Sequence, residues 1–413
     1  GHLTHDRRWF DTYKYRVCVA RLRGDAIMAI TDRKIAECAK RIVDTCNIKR
    51  GEGVVVRGGA HTQRLLEDIS IECYKRGGTP TMIVTSDRYS KRLYDEIPAK
   101  TLEMVPKQYI GMAKAADTLI MIEDLDDPSV AERFPREKVA ARQKSNLPLY
   151  DILYHKTDGK KWLYAGWPTK AAAKSFGIPY PLLEDIIIGG ISVPSSQLMK
   201  IGKGMAKAFK DAEWAHVWDG KGTDFRVNVR GRRVNIDDGF TSDEDFRVGD
   251  RGANLPAGEL FIAPKETVGE GTLFCPITRD RMSEKLVTDV RLEFKAGKLL
   301  LDKVTAKKNL DALVASFKEC EAIDKKKYKQ VRTRHVGELG IGYNPRIKKA
   351  IGYILTDEKV HGTVHVAFGS NNTYGGESES TMHWDFVSAP GVSIEVERTD
   401  GKTVPLMNKG KLV

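Results

Sequence analysis

At 413 residues, the chain is long enough for two domains, each with its own core. Its composition is that of an ordinary folded protein, with 41% hydrophobic and 30% charged residues. No apolar run approaches the roughly 18 to 20 residues that a membrane helix needs, so we predict no membrane partner.

The net charge of +12 leaves a nucleic-acid partner to be considered. Lysine and arginine are spread along the whole chain, however, and the one dense run, KKKYK at 325–329, is typical of a solvated helix end. We therefore predict no nucleic-acid partner. Six cysteines without a CxxC pair and an N-terminus without an apolar signal segment predict a cytoplasmic protein. Residues 1–27 precede the first methionine, and we interpret them as a tag or an upstream extension.

The first half of the chain alternates amphipathic helices with short apolar strands. Residues 32–45 have helical spacing, VVV at 54–56 is typical of a buried strand, and PTMIV at 80–84 predicts the next strand after a second helix. This alternation predicts an α/β domain with a parallel sheet over residues 28–205. The pair Gly58-Gly59 is interpreted as a tight turn, because no complete phosphate-binding motif accompanies it.

The pattern changes near residue 206. Residues 223–234 alternate polar and apolar side chains around Gly231, which predicts a hairpin, and several more antiparallel strands follow. We therefore predict a β-rich α+β domain over residues 206–413 that carries a metal site.

Residues 362–385 concentrate the side chains that carry chemistry. In the segment HWD at 383–385, the period of an extended strand places His383 and Asp385 on the same face. With His365 upstream, these residues form a candidate site for zinc, cobalt, manganese or iron.

Four ordered blocks resemble the aminopeptidase T family of metallo-aminopeptidases (peptidase family M29). They are NLPAGE at 254–259, GELGIGYNP at 337–345, DEKVHGTVHVAFG at 357–369 and HWD at 383–385. The resemblance implies an elongated homodimer that removes N-terminal residues from short peptides. It also implies a pair of divalent metal ions, with zinc as the first choice and cobalt, manganese or magnesium as alternatives. The implied metal ligands are Glu259, Glu338, His365, His383 and Asp385.

Two catalytic assignments follow from this resemblance. Glu338 is a candidate general base as well as a ligand, and either Glu259 or Glu338 is expected to bridge the metals, since a bridging anion offsets repulsion between two dications. The family has a tyrosine seven residues after the histidine that matches His365, where this sequence has Asn372. Either the loop is rebuilt so that Tyr374, two residues later, takes the role of oxyanion donor, or Asn372 faces the metals and that role is lost; we expect the first.

Two other functions remain open from the sequence. Ring-cleaving dihydroxypyridine dioxygenases resemble the same family and use the HxD feature around one iron, and two histidines with a carboxylate suit Fe(II). A basic nucleic-acid-binding module is the weaker alternative, because it leaves the five candidate ligands unexplained.

Overall fold

A computed structural model describes residues 30–154 and 159–413 of the chain. The prediction for residues 1–27 lies outside the described residues. Of the helices in the described ranges, none combines the length and the apolar character needed to cross a membrane. The helices are α1 Asp32–Thr45, α2 Gln63–Lys75, α3 Asp87–Glu96, α4 Ala99–Leu102, α5 Lys107–Ala115, α6 Arg136–Tyr154, α7 Lys170–Ser175, α8 Tyr180–Glu184, α9 Ser195–Ala206, α10 Asp243–Arg247, α11 Leu310–Lys327 and α12 Ile354–Asp357.

The first sheet is parallel and has the strand order β2-β1-β3-β4-β8. On β1, Val54 and Val56 belong to the main core, whereas Val55 packs in a smaller cluster with residues of α5 and α6. Helices therefore cover both faces, as the run of apolar residues predicts. The strands are β1 Gly53–Gly59, β2 Thr79–Thr85, β3 Thr118–Ile122, β4 Lys161–Ala165 and β8 Gly252–Leu255.

The second sheet is antiparallel and has the strand order β12-β11-β10-β6-β5-β16-β17-β18. It packs against the third sheet through aromatic side chains, and Trp384 Nε1 donates a hydrogen bond to Thr278 Oγ1 at 3.0 Å. Its strands are β5 Ala212–Trp218, β6 Asp224–Asn228, β10 Gly269–Arg279, β11 Leu286–Lys295, β12 Lys298–Leu299, β16 Ser393–Arg398, β17 Thr403–Asn408 and β18 Lys411–Leu412.

The third sheet is antiparallel, has the strand order β15-β14-β13-β9-β7 and carries the candidate site. Its strands are β7 Val234–Asp237, β9 Glu259–Ile262, β13 Val336–Gly342, β14 Thr363–Gly369 and β15 His383–Val387. The predicted fold class, an α/β first part followed by a β-rich part with the candidate metal site, is confirmed.

The hairpin predicted for residues 223–234 is wrong. The two strands form, but β6 pairs with β5 and β10 in the second sheet, whereas β7 pairs with β9 in the third. The residues between them pass from one sheet to the other. Local alternation predicts a strand but does not determine its partner, because pairing depends on residues far away in the chain.

The predicted boundary at 205/206 stays a prediction. Strand β8 lies beyond this point in the sequence, yet it pairs with β4 and completes the first sheet. Glu259 follows shortly after β8, so the chain runs directly from the last strand of the first sheet into the candidate site.

A partly buried hydrogen bond also links the first sheet to the segment that borders the site. Glu123 follows β3, and its Oε2 accepts a hydrogen bond of 2.5 Å from Tyr353 Oη. Tyr353 immediately precedes α12, which leads to Glu358 and Lys359. Burial raises the pKa of Glu123 from its ordinary 4.5 to about 7.

The variant Glu123→Gln is therefore expected to change how stability depends on pH. Between pH 4.5 and 7, the unfolded chain has released the proton that folded Glu123 still holds, so wild-type stability falls as pH rises through this window. Glutamine removes this cost, which amounts to about 3 kcal/mol once the window has been crossed. Urea denaturation of both proteins at pH 4 to 8 measures it, and parallel stability curves would contradict the assignment.

Candidate metal centre

The five predicted ligands come from four adjacent strands of the third sheet. Glu259 begins β9, Glu338 lies in β13, His365 lies in β14, and His383 and Asp385 lie in β15. All are buried except His383, which is partly exposed. The structure thus brings together side chains that are separated by up to 126 positions in the sequence, from residue 259 to residue 385.

Strand geometry explains how β15 contributes two of these side chains. His383 and Asp385 point towards the site, while the intervening Trp384 and the following Phe386 belong to the apolar core. This is the alternation expected of a strand that separates a polar site from a packed core.

A glycine on the neighbouring strand makes room for His365. Gly340 of β13 lies opposite His365 of β14, and a Cβ at Gly340 would lie only 1.9 Å from His365 Nε2. The glycine at position 340, close to Glu338 in the sequence, therefore has a steric cause: the His365 imidazole occupies the space that a side chain at Gly340 would need.

The potential ligand atoms form two groups with one shared member. Glu259, Glu338 and His365 form one group, and Glu338, His383 and Asp385 form the other; within each, the atoms lie within 4.8 Å of one another. Glu338 Oε1 is 3.1 Å from His365 Nε2, and Glu338 Oε2 is 3.9 Å from His383 Nε2. The two oxygens of Glu338 therefore face different groups.

Buried oxygen atoms at both groups fit metal binding. Glu259 Oε2 and Asp385 Oδ1 are buried and have no hydrogen-bond partner among the described residues, although Glu259 Oε2 lies 3.3 Å from His365 Nε2. A buried carboxylate oxygen without a partner is costly, because it has lost its hydration without replacement. A divalent cation at each group would supply the missing interaction, so the donor set fits metal ions.

The electrostatics of the site also favour cations. Burial opposes a charge on His383, but Asp385, whose Oδ2 is 3.3 Å away, more than offsets this and raises the pKa of His383 to about 10. At His365, burial is likewise outweighed by the carboxylates of Glu259 and Glu338, which hold the pKa well above its ordinary value. A site that retains protons on two imidazoles, one of them buried, has a strongly negative potential, and a divalent cation can take the place of those protons.

His383 is also oriented by a hydrogen bond on its far side. Its Nδ1 lies 2.8 Å from the carbonyl oxygen of Ser370, so this nitrogen donates and Nε2 is left facing Glu338 and Asp385. A backbone carbonyl in this position is a common outer partner of a metal-binding histidine.

Sequence reasoning missed a charged group beneath Glu259. Lys359 is completely buried, and its Nζ lies 2.5 Å from Glu259 Oε1, 3.1 Å from Glu358 Oε2 and 3.5 Å from Asp237 Oδ2. The ammonium holds one oxygen of Glu259 and leaves Oε2 directed towards His365, at 3.3 Å. Lys359 lies in the block DEKVHGTVHVAFG at 357–369, and this position within a family-like block is the only feature of the sequence that pointed to it.

Tyr374, rather than Asn372, lies against the site. The Tyr374 ring packs edge-on to His383 with 6.1 Å between ring centroids, and burial together with Glu338 holds its pKa well above the ordinary value. Asn372 instead accepts a hydrogen bond of 3.0 Å from Ser370 Oγ. The loop thus brings the tyrosine to the centre despite the shift of two positions in the sequence.

Two solved structures share this fold. Wild-type AmpT from Thermus thermophilus matches with a TM-score of 0.73 and 19% identity, over 92% of this chain and 99% of that chain. The 2,5-dihydroxypyridine dioxygenase from Pseudomonas putida KT2440 matches with a TM-score of 0.56 and 14% identity, over 93% of this chain and 98% of that one. No curated protein sequence matches the chain.

The family comparison covers most of the chain. The model of the thermophilic metalloprotease (M29) family matches residues 31–182 and 203–412, a span that includes all five candidate ligands and Tyr374. The resemblance inferred from the four sequence blocks is thereby confirmed, and the chain belongs to the thermophilic metalloprotease (M29) family, whose members are metal-dependent hydrolases.

Proposed function

We propose that this protein is a metallo-aminopeptidase that hydrolyses N-terminal residues from short peptides through a water activated by two divalent metal ions. The observation that carries the proposal is the position of Glu338, whose two oxygens face two separate ligand groups. Family membership supports peptide hydrolysis, and similarity in fold to AmpT supports the aminopeptidase type.

In this proposal, each ion has its own ligands and one shared ligand. Glu259 and His365 would hold the first ion, His383 and Asp385 would hold the second, and Glu338 would be shared by both. Zinc is the preferred metal, since imidazole and carboxylate are its usual ligands in hydrolases, with cobalt, manganese or magnesium as alternatives. The general base expected at Glu338 stays a prediction, since sharing between two ions would engage both of its oxygens.

The protein's own groups supply the remaining chemistry. When bound, a pair of divalent ions polarises a scissile carbonyl and lowers the pKa of a bound water. Tyr374 donates a hydrogen bond to the oxygen on which charge develops. Its hydroxyl contacts the carbonyl oxygens of Gly337 and Ser370 at 3.3 Å each, which are long for hydrogen bonds between hydroxyl and carbonyl, so it can turn to a stronger acceptor.

Chelation is the direct test of this function. Wild-type protein is expected to hydrolyse aminoacyl p-nitroanilides, to lose this activity on treatment with a chelator and to regain it with zinc, cobalt or manganese. Metal analysis is expected to find two ions per chain in the active form. Hydrolysis that persists after complete removal of metal would contradict the proposal.

The variant Tyr374→Phe tests the oxyanion donor. Turnover is expected to fall by more than about tenfold with little change in KM, because the lost hydrogen bond forms mainly in the transition state. Asn372→Ala is the matched control from the same loop and is expected to keep turnover within about twofold. If Asn372→Ala lowered turnover more than Tyr374→Phe does, Asn372 and not Tyr374 would be the oxyanion donor.

A mononuclear iron dioxygenase remains the second candidate. It is favoured by the shared fold with the 2,5-dihydroxypyridine dioxygenase and by the available set of two histidines and a carboxylate. Oxygen uptake by the Fe(II)-loaded protein in the presence of 2,5-dihydroxypyridine distinguishes it from the peptidase. The cytoplasmic homodimer implied by the sequence is also part of the proposal, and sedimentation analysis tests its oligomeric state.

A further inference from the structure

The loop that carries Tyr374 connects β14 to β15 and spans residues 370–382. It contains no helix or strand, and loops of this length are usually mobile unless their own side chains hold them. Tyr374 nevertheless has a defined place, with its ring edge-on to Phe261 at 5.4 Å between centroids and edge-on to His383 on another side.

The buried carboxylate of Glu266, outside the candidate metal centre, forms hydrogen bonds with this loop. Glu266 lies between β9 and β10 and is only 6% exposed. Its Oε1 accepts hydrogen bonds from Asn371 Nδ2 at 2.9 Å and from the backbone N–H of Glu377 at 2.7 Å. Glu266 thus fixes the loop at two points, one on each side of Tyr374.

Arg232 connects the same carboxylate to the tip of the loop. Its Nη2 donates to Glu266 Oε2 at 2.6 Å, and its Nη1 donates to the carbonyl oxygen of Gly375, the residue after Tyr374, at 2.7 Å. The planar guanidinium serves both acceptors at once, which a single ammonium group cannot do in the same geometry.

Asn371 closes the loop on itself. Its Oδ1 accepts the N–H of Ser378 at 2.7 Å, and its carbonyl oxygen accepts the N–H of Gly376 at 3.0 Å. Gly376 is required for this closure, because a Cβ there would lie 2.0 Å from the Asn371 side chain. The Tyr374 carbonyl also accepts a hydrogen bond of 3.2 Å from Asn235 Nδ2.

We propose that Glu266, Arg232 and Asn371 form a positioning unit that holds the Tyr374 hydroxyl at the metal centre. Among the described residues, the hydrogen bonds and ion pairs of these three side chains do not include a candidate ligand, so we expect them to act on the reaction through the loop that carries Tyr374. A buried and well-paired polar network favours one loop conformation over the alternatives, so the phenol is in place before the transition state forms. The inference rests on the proposed function, because Tyr374 must be an oxyanion donor for its position to affect turnover.

A double-mutant cycle tests the unit. Glu266→Gln is expected to lower kcat by about tenfold or more, close to the loss in Tyr374→Phe, with KM within about twofold and unchanged metal content. Added to Tyr374→Phe, Glu266→Gln is expected to lower kcat by less than about twofold further, because the group that it positions is already gone. Independent, multiplicative losses would overturn the inference.

Two further variants separate positioning from general damage. Glu397→Gln is the matched control: it makes the same substitution in an exposed ion pair with Arg226 and is expected to leave kcat unchanged. Arg232→Lys keeps the charge beside Glu266 but loses the second donor, and it is expected to cause a smaller kcat loss that again disappears in the Tyr374→Phe background. If Glu266→Gln does not fold, the double-mutant cycle is carried out with Arg232→Lys in its place.

Hydrogen exchange gives a reading that does not depend on activity. In Glu266→Gln, the backbone amides of residues 370–382 are expected to exchange about tenfold faster than in the wild type, as a lost charged hydrogen bond implies, and Glu397→Gln is expected to match the wild type. Unchanged exchange in this segment would overturn the positioning unit. A wild-type protein without metal-dependent peptidase activity would overturn the proposed function instead.

Discussion

Glu338→Gln is expected to reduce peptidase activity by at least about 10³-fold and to prevent stable binding of both metal ions. Glutamine keeps the size of the side chain but cannot bridge two cations as a carboxylate does, so both ligand groups lose their shared anion. The loss should equal or exceed that of a single oxyanion donor, about 10² to 10³. Metal content after gel filtration and kcat/KM with an aminoacyl p-nitroanilide measure the two effects.

Variants of the two histidines provide the controls for this prediction. His365→Ala removes a ligand from the first group only, and His383→Ala removes one from the second only, so each is expected to retain the other ion more tightly than Glu338→Gln retains either. Both should abolish hydrolysis while leaving the far-UV circular dichroism unchanged. If Glu338→Gln kept both ions and activity within about tenfold of the wild type, Glu338 would not be the bridge.

Lys359→Met is expected to destabilise the metal-free protein by about 3 to 5 kcal/mol. Methionine fills a similar volume, so the main loss is the buried cation that compensates Glu259, Glu358 and Asp237. Removal of one partner from a buried ionic group leaves uncompensated charge, which is the basis of this magnitude. Denaturant unfolding in the presence of a chelator measures the difference, which should shrink in zinc because an ion bound by Glu259 would add positive charge beside the same cluster.

An exposed lysine offers the matched comparison. Lys303 forms an ion pair with Glu293 at 2.5 Å, but its side chain is 52% exposed. Lys303→Met is therefore expected to cost no more than about 1 kcal/mol. Equal and small effects at the two positions would mean that Lys359 does not compensate the acidic site.

The sequence identified side chains that the structure brings together, but it did not identify the groups that surround them; the roles of these side chains stay predictions. The candidate ligands were recognisable because four short blocks carry them in a fixed order, and the period of a strand placed His383 and Asp385 on one face. Tyr374 was expected at the centre although its spacing departs from the family pattern. In the structure its ring lies beside His383, in a loop that forms hydrogen bonds with Arg232 and Glu266, which are distant in sequence.

Lys359 and the strand pairings illustrate what local sequence does not contain. A lysine beside a glutamate is usually solvated, and full burial of Lys359 depends on Glu259 and Asp237, each at least 100 positions away. The alternation of β6 and β7 predicts a hairpin, but β6 pairs with β5 and β7 pairs with β9, strands that belong to two different sheets. Such partners follow from the packing of the whole chain and not from nearby residues.

Because strand β8 pairs with β4, we expect two fragments cut at residue 205 to depend on each other for a complete first sheet. A fragment that ends there would leave β4 as an open sheet edge, with unpaired backbone groups that invite association with other chains. The complementary fragment would contain β8 without its partner strand β4. Glu259 follows β8 by a few residues, so its position relative to the other candidate ligands would no longer be fixed. Expression of the second half alone is therefore expected to give an aggregating polypeptide with weakened metal binding, whereas co-expression of both halves allows β8 to restore the sheet and the centre together.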